Sequence, residues 1–165
     1  YLFTRMQGLS FWKVCDRLFP SAMLGIFIGR WGCFLIGDCY GARAPENLPW
    51  SVCYPFHEKS MIPLELLNVP LHPTPIYMSL NALILFLVSL VLLKKRRFEG
   101  QVFLIGITLY ALSRAWLETF RGDDEERVIY GPLSTSQWIS CGILIVTFFL
   151  YSRIRKDGRN IDKAG

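Results

Sequence analysis

The chain has 165 residues and a net charge of +5; 52% of it is hydrophobic, 15% aromatic and only 19% charged. A soluble domain carries about 25% charged residues, and here the apolar residues arrive in long blocks rather than in stripes of period 2 or 3.6, so a soluble fold is excluded in favour of a bilayer-spanning one. The basic residues cluster directly after apolar segments, where topology signals sit, which argues against a nucleic-acid partner.

Position 1 is Tyr, and no signal-peptide layout follows, so further residues are expected upstream. Residues 1–17 form an N-terminal segment with Lys13 and Arg17 at its end. Four spans are predicted after it. Leu18–Ile36 has Arg30 as its single charge, and Ile76–Leu93 has none. Val102–Phe120 carries Arg114 and Glu118, and Trp138–Tyr151 approaches the ~20 residues a span needs once Thr135–Gln137 and Ser152 are added. The fold class is therefore an all-α, polytopic integral membrane bundle occupying residues 18–152.

Between the first two spans, Pro45, Pro49, Pro55, Pro63, Pro70, Pro73 and Pro75 forbid a long helix and predict an irregular cap on the membrane surface. Trp50, Tyr54, Phe56 and Tyr77 suit the headgroup level, where an aromatic ring keeps one end wet. Lys94–Arg97 and the basic tail 153–165 are predicted to be cytoplasmic, together with Lys13 and Arg17. Loops 41–75 and 121–136, the latter with the acidic run Asp123–Glu126, then fall on the external face.

The cysteines, Cys15, Cys33, Cys39, Cys53 and Cys141, form no CxxC pair and no zinc-like spacing with the two histidines. Four lie in or beside apolar stretches and read as small buried residues; a Cys39–Cys53 disulfide is left open.

A charge inside a spanning helix costs at least ~2.5 kcal/mol, so Arg30 and Arg114 need partners or water. Glu118, at i+4, pairs naturally with Arg114. It can neutralise only one arginine, and Arg30 has no acid in its own span. Surplus positive charge suits an anionic ligand such as a lipid phosphate, although structural pairing alone is also open. On an ideal helix Tyr110, Arg114, Glu118 and Arg121 share an arc of about 80°. Gly25, Gly29 and Gly32 share a face that predicts close helix packing. His72, in His72-Pro73-Thr74-Pro75-Ile76-Tyr77, is either a loop hydrogen-bonder or a group that orients a nucleophile.

Three blocks resemble the prolipoprotein diacylglyceryl transferase family. The first is Gly29-Arg30-Trp31-Gly32-Cys33-Phe34-Leu35-Ile36-Gly37-Asp38-Cys39-Tyr40-Gly41 and the second is the His72–Tyr77 segment. The third runs from Tyr110 through Arg114, Glu118 and Arg121 to Leu133-Ser134-Thr135-Ser136-Gln137. Many members have Asn at the position of Cys33, Glu at that of Asp38, Gln at that of Pro75 and Glu at that of Met78.

The resemblance implies transfer of diacylglyceryl from phosphatidylglycerol to the lipobox cysteine of a prolipoprotein signal peptide, at the external face of the bacterial inner membrane. It implies that Arg30, Arg114 and Arg121 bind the headgroup. Tyr110, His72, Arg114 and Glu118 form the catalytic set, and neither a metal nor an organic cofactor is required. The family also carries a His-Gly-Gly block in an earlier span. Nothing in residues 1–28 resembles it, so the chain by itself is expected to be inactive. A lipid-binding protein without catalysis and a transporter are the alternatives, since transporters also place charges at mid-membrane.

Overall fold

The computed structural model describes residue 4 and residues 6–56, 62–122, 129–130 and 133–161. The acidic run Asp123–Glu126 and Lys163 lie outside these. Among the described residues four long helices form the bundle: α1 (Phe11–Ile36), α2 (Thr74–Lys95), α3 (Gln101–Leu117) and α4 (Thr135–Ile161). Each is part of a stretch long and apolar enough to cross a membrane, running on to Phe120 after α3 and reaching Ile154 in α4. A 3₁₀ turn, Glu118–Phe120, extends α3, and a two-residue antiparallel pair joins β1 (Ile129–Tyr130) to β2 (Leu133–Ser134) just before α4.

α1 starts at Phe11, seven residues ahead of the predicted Leu18, and therefore includes Lys13, Asp16 and Arg17. The early charges do not delay the helix because Asp16 points into the bundle and is fully buried. Its Oδ2 accepts the Gly100 amide at 2.9 Å and its Oδ1 the Phe103 amide at 2.9 Å. Those amides belong to the first turn of α3, whose N-cap residue, Gly100, has no side chain to cap it. A carboxylate from α1 thus satisfies two donors that a helix start leaves open and sits at the positive end of its dipole. Arg96 stands 3.4 Å from the same oxygen. Trp12 packs where a Cβ on Gly100 would lie, and Gly100 has φ +90°, so glycine meets two requirements there.

At the other end α1 stops at Gly37 (φ +77°), with the Asp38 amide donating back to the Cys33 carbonyl at 2.9 Å, a Schellman-type cap. Pro75 lies in the first turn of α2, where its missing N–H costs nothing, and Lys94 and Lys95 in the last turn oppose the dipole. α1 packs most extensively on α2, and α3 packs on both α2 and α4.

The core between α1, α2 and α3 is built from Phe19, Met23 and Leu85, with Phe103, Ile107 and Tyr110 against them. The close approach comes at Gly106 of α3, where the Phe19 ring occupies the space a Cβ would need. Among the described residues nothing packs on the predicted stripe: a Cβ on Gly25, Gly29 or Gly32 would meet no atom of theirs within 4 Å. Interhelical hydrogen bonds contribute instead: Ser79 Oγ to the Phe27 carbonyl at 3.0 Å, Asn81 Nδ2 to Ser113 Oγ at 2.9 Å, and Thr108 Oγ1 to Thr147 Oγ1 at 3.2 Å. Such bonds are worth about 0.6 kcal/mol each in a bilayer.

The helices alternate in direction, so the bundle has two distinct ends. Lys13, Arg17 and Lys94–Arg97 share one, as the Asp16–Gly100 bond requires. The Phe98–Tyr151 ring contact at 5.4 Å brings the second half of α4 to the same basic end. The other end is made of loops. Among the described residues of 37–73 there are one 3₁₀ turn (Leu64–Leu66) and isolated bridges Arg43↔Leu71 and Val52↔Leu71. Leu71 is fully buried and anchors a second small core with Tyr40 and Ile62.

Candidate functional site

Of the predicted site residues, Arg30, His72, Arg114, Glu118 and Arg121 lie at or near the loop end, and Tyr110 lies deeper, against the bundle core. Two loops cross there at glycines. Gly41 bridges Arg121, a Cβ on Gly41 would collide with the His72 carbonyl oxygen, and one on Gly122 would meet the Gly41 carbonyl. The Ala42 amide donates to the Phe120 carbonyl and the His72 amide to the Ala42 carbonyl, at 2.9 and 3.0 Å. Segments 40–44, 70–74 and 119–122 are thereby held against each other with no room for side chains at the crossing.

Arg121 leaves the face assigned to it. α3 ends at Leu117, and after the 3₁₀ turn Arg121 is extended (φ −77°, ψ 140°), its amide held by the Glu118 carbonyl. Pairing with Gly41 draws it off the helix, so it lies beside the 40–44 segment rather than above Arg114. There it lines a pocket of about 640 Å³ with Tyr40, Arg43, Glu65 and Thr119.

Arg30, half-buried near the end of α1, places Nη1 3.6 Å from Cys39 Sγ. Among the described residues it pairs with no carboxylate. Cys39 has φ +56° and its carbonyl accepts the Thr74 hydroxyl at 2.6 Å, which ties the turn after α1 to the start of α2. Burial pushes the Cys39 thiol up to about 11, and the Asp38 carboxylate adds to this, while the guanidiniums of Arg30 and Arg121 pull the other way.

Arg114 is held differently. Its Nη1 pairs with Glu118 Oε2 and its Nη2 donates to Ser136 Oγ at 3.2 Å. Glu118 is only 4% exposed. Gln137 reinforces this corner, its Oε1 accepting the Ser134 amide at 2.9 Å. Tyr110, one turn earlier, rests its ring on the Phe19–Met23–Leu85 cluster. Arg30 and Arg114 share no hydrogen-bond partner among the described residues.

His72 closes a chain that the sequence did not reveal. Trp50 Nε1 donates to Tyr77 Oη at 2.9 Å, and Tyr77 Oη lies 3.2 Å from His72 Nδ1. With the tyrosine oxygen accepting from tryptophan, its own proton can be donated to Nδ1 when His72 carries its proton on Nε2. The His72 ring also packs edge-on against Phe120, at 5.4 Å. These residues line an almost wholly apolar cleft of about 590 Å³, with Ile84 and Trp116. Trp50 and Tyr77 had read only as headgroup aromatics; the hydrogen bond between them spans 27 residues, and local spacing carries no signal of it.

None of the five cysteines is disulfide-bonded. Cys53 and Cys141 are exposed and the other three half-buried, so the expectation of buried cysteines does not hold. The thiols of exposed residues on α4 and in the proline-rich loop face outward because the surfaces around them are themselves unpacked.

Fold and site define a multi-pass helical membrane protein with a guanidinium-rich, loop-covered end. The chain belongs to the prolipoprotein diacylglyceryl transferase family, whose sequence model matches residues 1–153. It is 38% identical over 142 residues to the phosphatidylglycerol–prolipoprotein diacylglyceryl transferase of Thermosynechococcus vestitus, covering 84% of this chain and 50% of that protein. The protein of the same name from Clostridioides difficile is 31% identical over 160 residues, 97% of this chain and 58% of its own length. That of Clostridium tetani is 35% identical over 158 residues, covering 94% and 60%. The chain therefore spans little more than half the length of the curated relatives it matches.

Proposed function

We propose that the protein of which this chain is part transfers the diacylglyceryl group of phosphatidylglycerol to the lipobox cysteine of a prolipoprotein, in the inner membrane with the loop end external. The observation that carries the reading is Arg30: a guanidinium on a membrane-spanning helix, near its loop end, without a carboxylate partner among the described residues. Such a cation suits a phosphate diester, and a guanidinium fork can hold two of its oxygens.

In the reaction the cysteine sulfur attacks the glyceryl carbon bonded to the phosphate oxygen. A thioether C–S bond forms, the C–O bond breaks, and glycerol-1-phosphate leaves as an anion, the thiol proton passing to water. Charge grows on the leaving oxygen, and preorganised cationic donors lower the barrier because they need not reorient. Arg30 and Arg121 hold the headgroup and Arg114, fixed by Glu118 and Ser136, stabilises the leaving phosphate. Tyr110 orients the headgroup. His72, set by Tyr77 and Trp50, shapes the adjoining apolar cleft, which suits an acyl chain. The proline-rich segment serves as a surface cap over these groups, and Glu118 acts by positioning Arg114.

The test is transfer of labelled diacylglycerol from phosphatidylglycerol to a lipobox peptide by the full-length protein in detergent. Arg114→Ala should lower turnover roughly 100- to 1,000-fold, the usual effect of removing one charge-stabilising donor. Arg114→Lys should rescue poorly, because an ammonium lacks the planar fork. Near-normal turnover by folded Arg114→Ala would return Arg114 and Glu118 to a structural ion pair. For the orientation, a variant retaining only Cys53 should react with an impermeant maleimide on intact cells. Protection there, with labelling of a cysteine introduced at Lys156, inverts the proposed topology.

A further inference from the structure

We propose that Cys33, Asp38 and Cys39 form a binding site for a soft divalent metal ion of the zinc class. The Sγ atoms of the two cysteines and a carboxylate oxygen of Asp38 all lie within 4.8 Å of one another. A tetrahedral zinc with ~2.3 Å bonds to sulfur sets two thiolates ~3.8 Å apart, so the donors need to close by no more than about an ångström. Two thiolates with one carboxylate favour zinc over magnesium or calcium, whose sites are built from oxygen. Three protein ligands leave a fourth position for water or another anionic oxygen.

The spacing does not look like a zinc motif in sequence because the chain reverses between the ligands. Cys33 sits on the last turn of α1, the helix stops at Gly37 in the left-handed region, and the turn folds Asp38 and Cys39 back over the helix end. The Asp38 amide donates to the Cys33 carbonyl and the Cys39 amide to Asp38 Oδ1 at 2.7 Å, so the ligands are already joined to each other. That bond occupies one carboxylate oxygen and leaves the other for a metal. The Cys39 carbonyl is pinned by Thr74 and the following residues by the glycine crossing at Gly41.

The charges also balance. Two thiolates and a carboxylate, set against the Arg30 guanidinium at Cys39, leave an excess that a divalent cation cancels. A cation at a helix C-terminus is further favoured by the dipole. Binding forms two metal–sulfur bonds and releases two thiol protons, with no change of oxidation state.

The experiment uses full-length protein in detergent, reduced, stripped of metal by chelator and titrated with Co²⁺ and then Zn²⁺. The expected result is one cobalt per chain with a near-ultraviolet thiolate-to-cobalt absorption that zinc displaces. Cys33→Ser and Cys39→Ser should each weaken binding by more than the ~10–100-fold that loss of an outer-shell partner costs. Asp38→Asn should weaken it while retaining the thiolate absorption, and Cys53→Ser with Cys141→Ser should leave it unchanged. Zinc should also slow alkylation of Cys33 and Cys39 in the wild-type protein but not of Cys53, a readout that needs no variant to fold. Failure of reduced wild-type protein to take up metal overturns the proposal. So does an absorption that survives Cys39→Ser, or a Cys33–Cys39 disulfide in protein purified without oxidant.

Discussion

The two ends of the bundle handle buried charge in opposite ways. At the basic end, Asp16 is completely buried and fully used: two α3 amides and Arg96 surround its carboxylate. At the loop end, Arg30 meets the Cys39 thiol and, among the described residues, no carboxylate. A charge with all its partners inside the protein holds helices together; a charge short of a counterion is available to a ligand. Asp16 therefore reads as architecture, and Arg30 as the group proposed to hold a ligand.

The largest effect that bears on this contrast is expected from Asp16→Ala. It orphans two helix-start amides and removes the acid that faces Arg96, and each buried donor left unsatisfied costs about 1–3 kcal/mol. Chemical unfolding in detergent should show that loss, while transfer activity per folded molecule stays near normal. A stable variant with impaired transfer would mean that the basic end also serves the reaction.

Gly41→Ala should divide the other way. The added methyl collides with the His72 carbonyl, forcing apart the segments that carry Arg121 and His72. Overpacking costs about 1–3 kcal/mol, here confined to the loop end, because local units open with their own free energies. Activity should fall sharply while the unfolding midpoint moves little. Equal losses of activity and global stability would show that the two ends unfold as one unit.

The spans were legible because four apolar blocks need no tertiary knowledge to recognise; Arg30, Arg114 and Glu118 stood out as charges inside them, and His72 as a histidine in the proline-rich loop just before the second span. What escaped notice depends on contacts between distant segments. Asp16 carries no local signal because its acceptor role is met 84 and 87 residues later, at Gly100 and Phe103. The glycines of α1 looked like a packing seam, yet the close approach falls at Gly106 on another helix, where Phe19 supplies the knob. Arg121 followed helical periodicity until pairing with Gly41 pulled it away. The Cys33–Asp38–Cys39 cluster was hidden by a reversal at Gly37 that only the backbone reveals.

The central claim is that Arg30, which has no carboxylate partner among the described residues, holds a phospholipid phosphate. Binding of phosphatidylglycerol by the full-length protein in nanodiscs otherwise made of zwitterionic lipid tests it most directly, with wild type compared with Arg30→Ala. The account predicts that the variant folds normally and binds about 10- to 100-fold more weakly, as expected for loss of one charge-assisted contact. Unchanged affinity in a folded Arg30→Ala protein would contradict it.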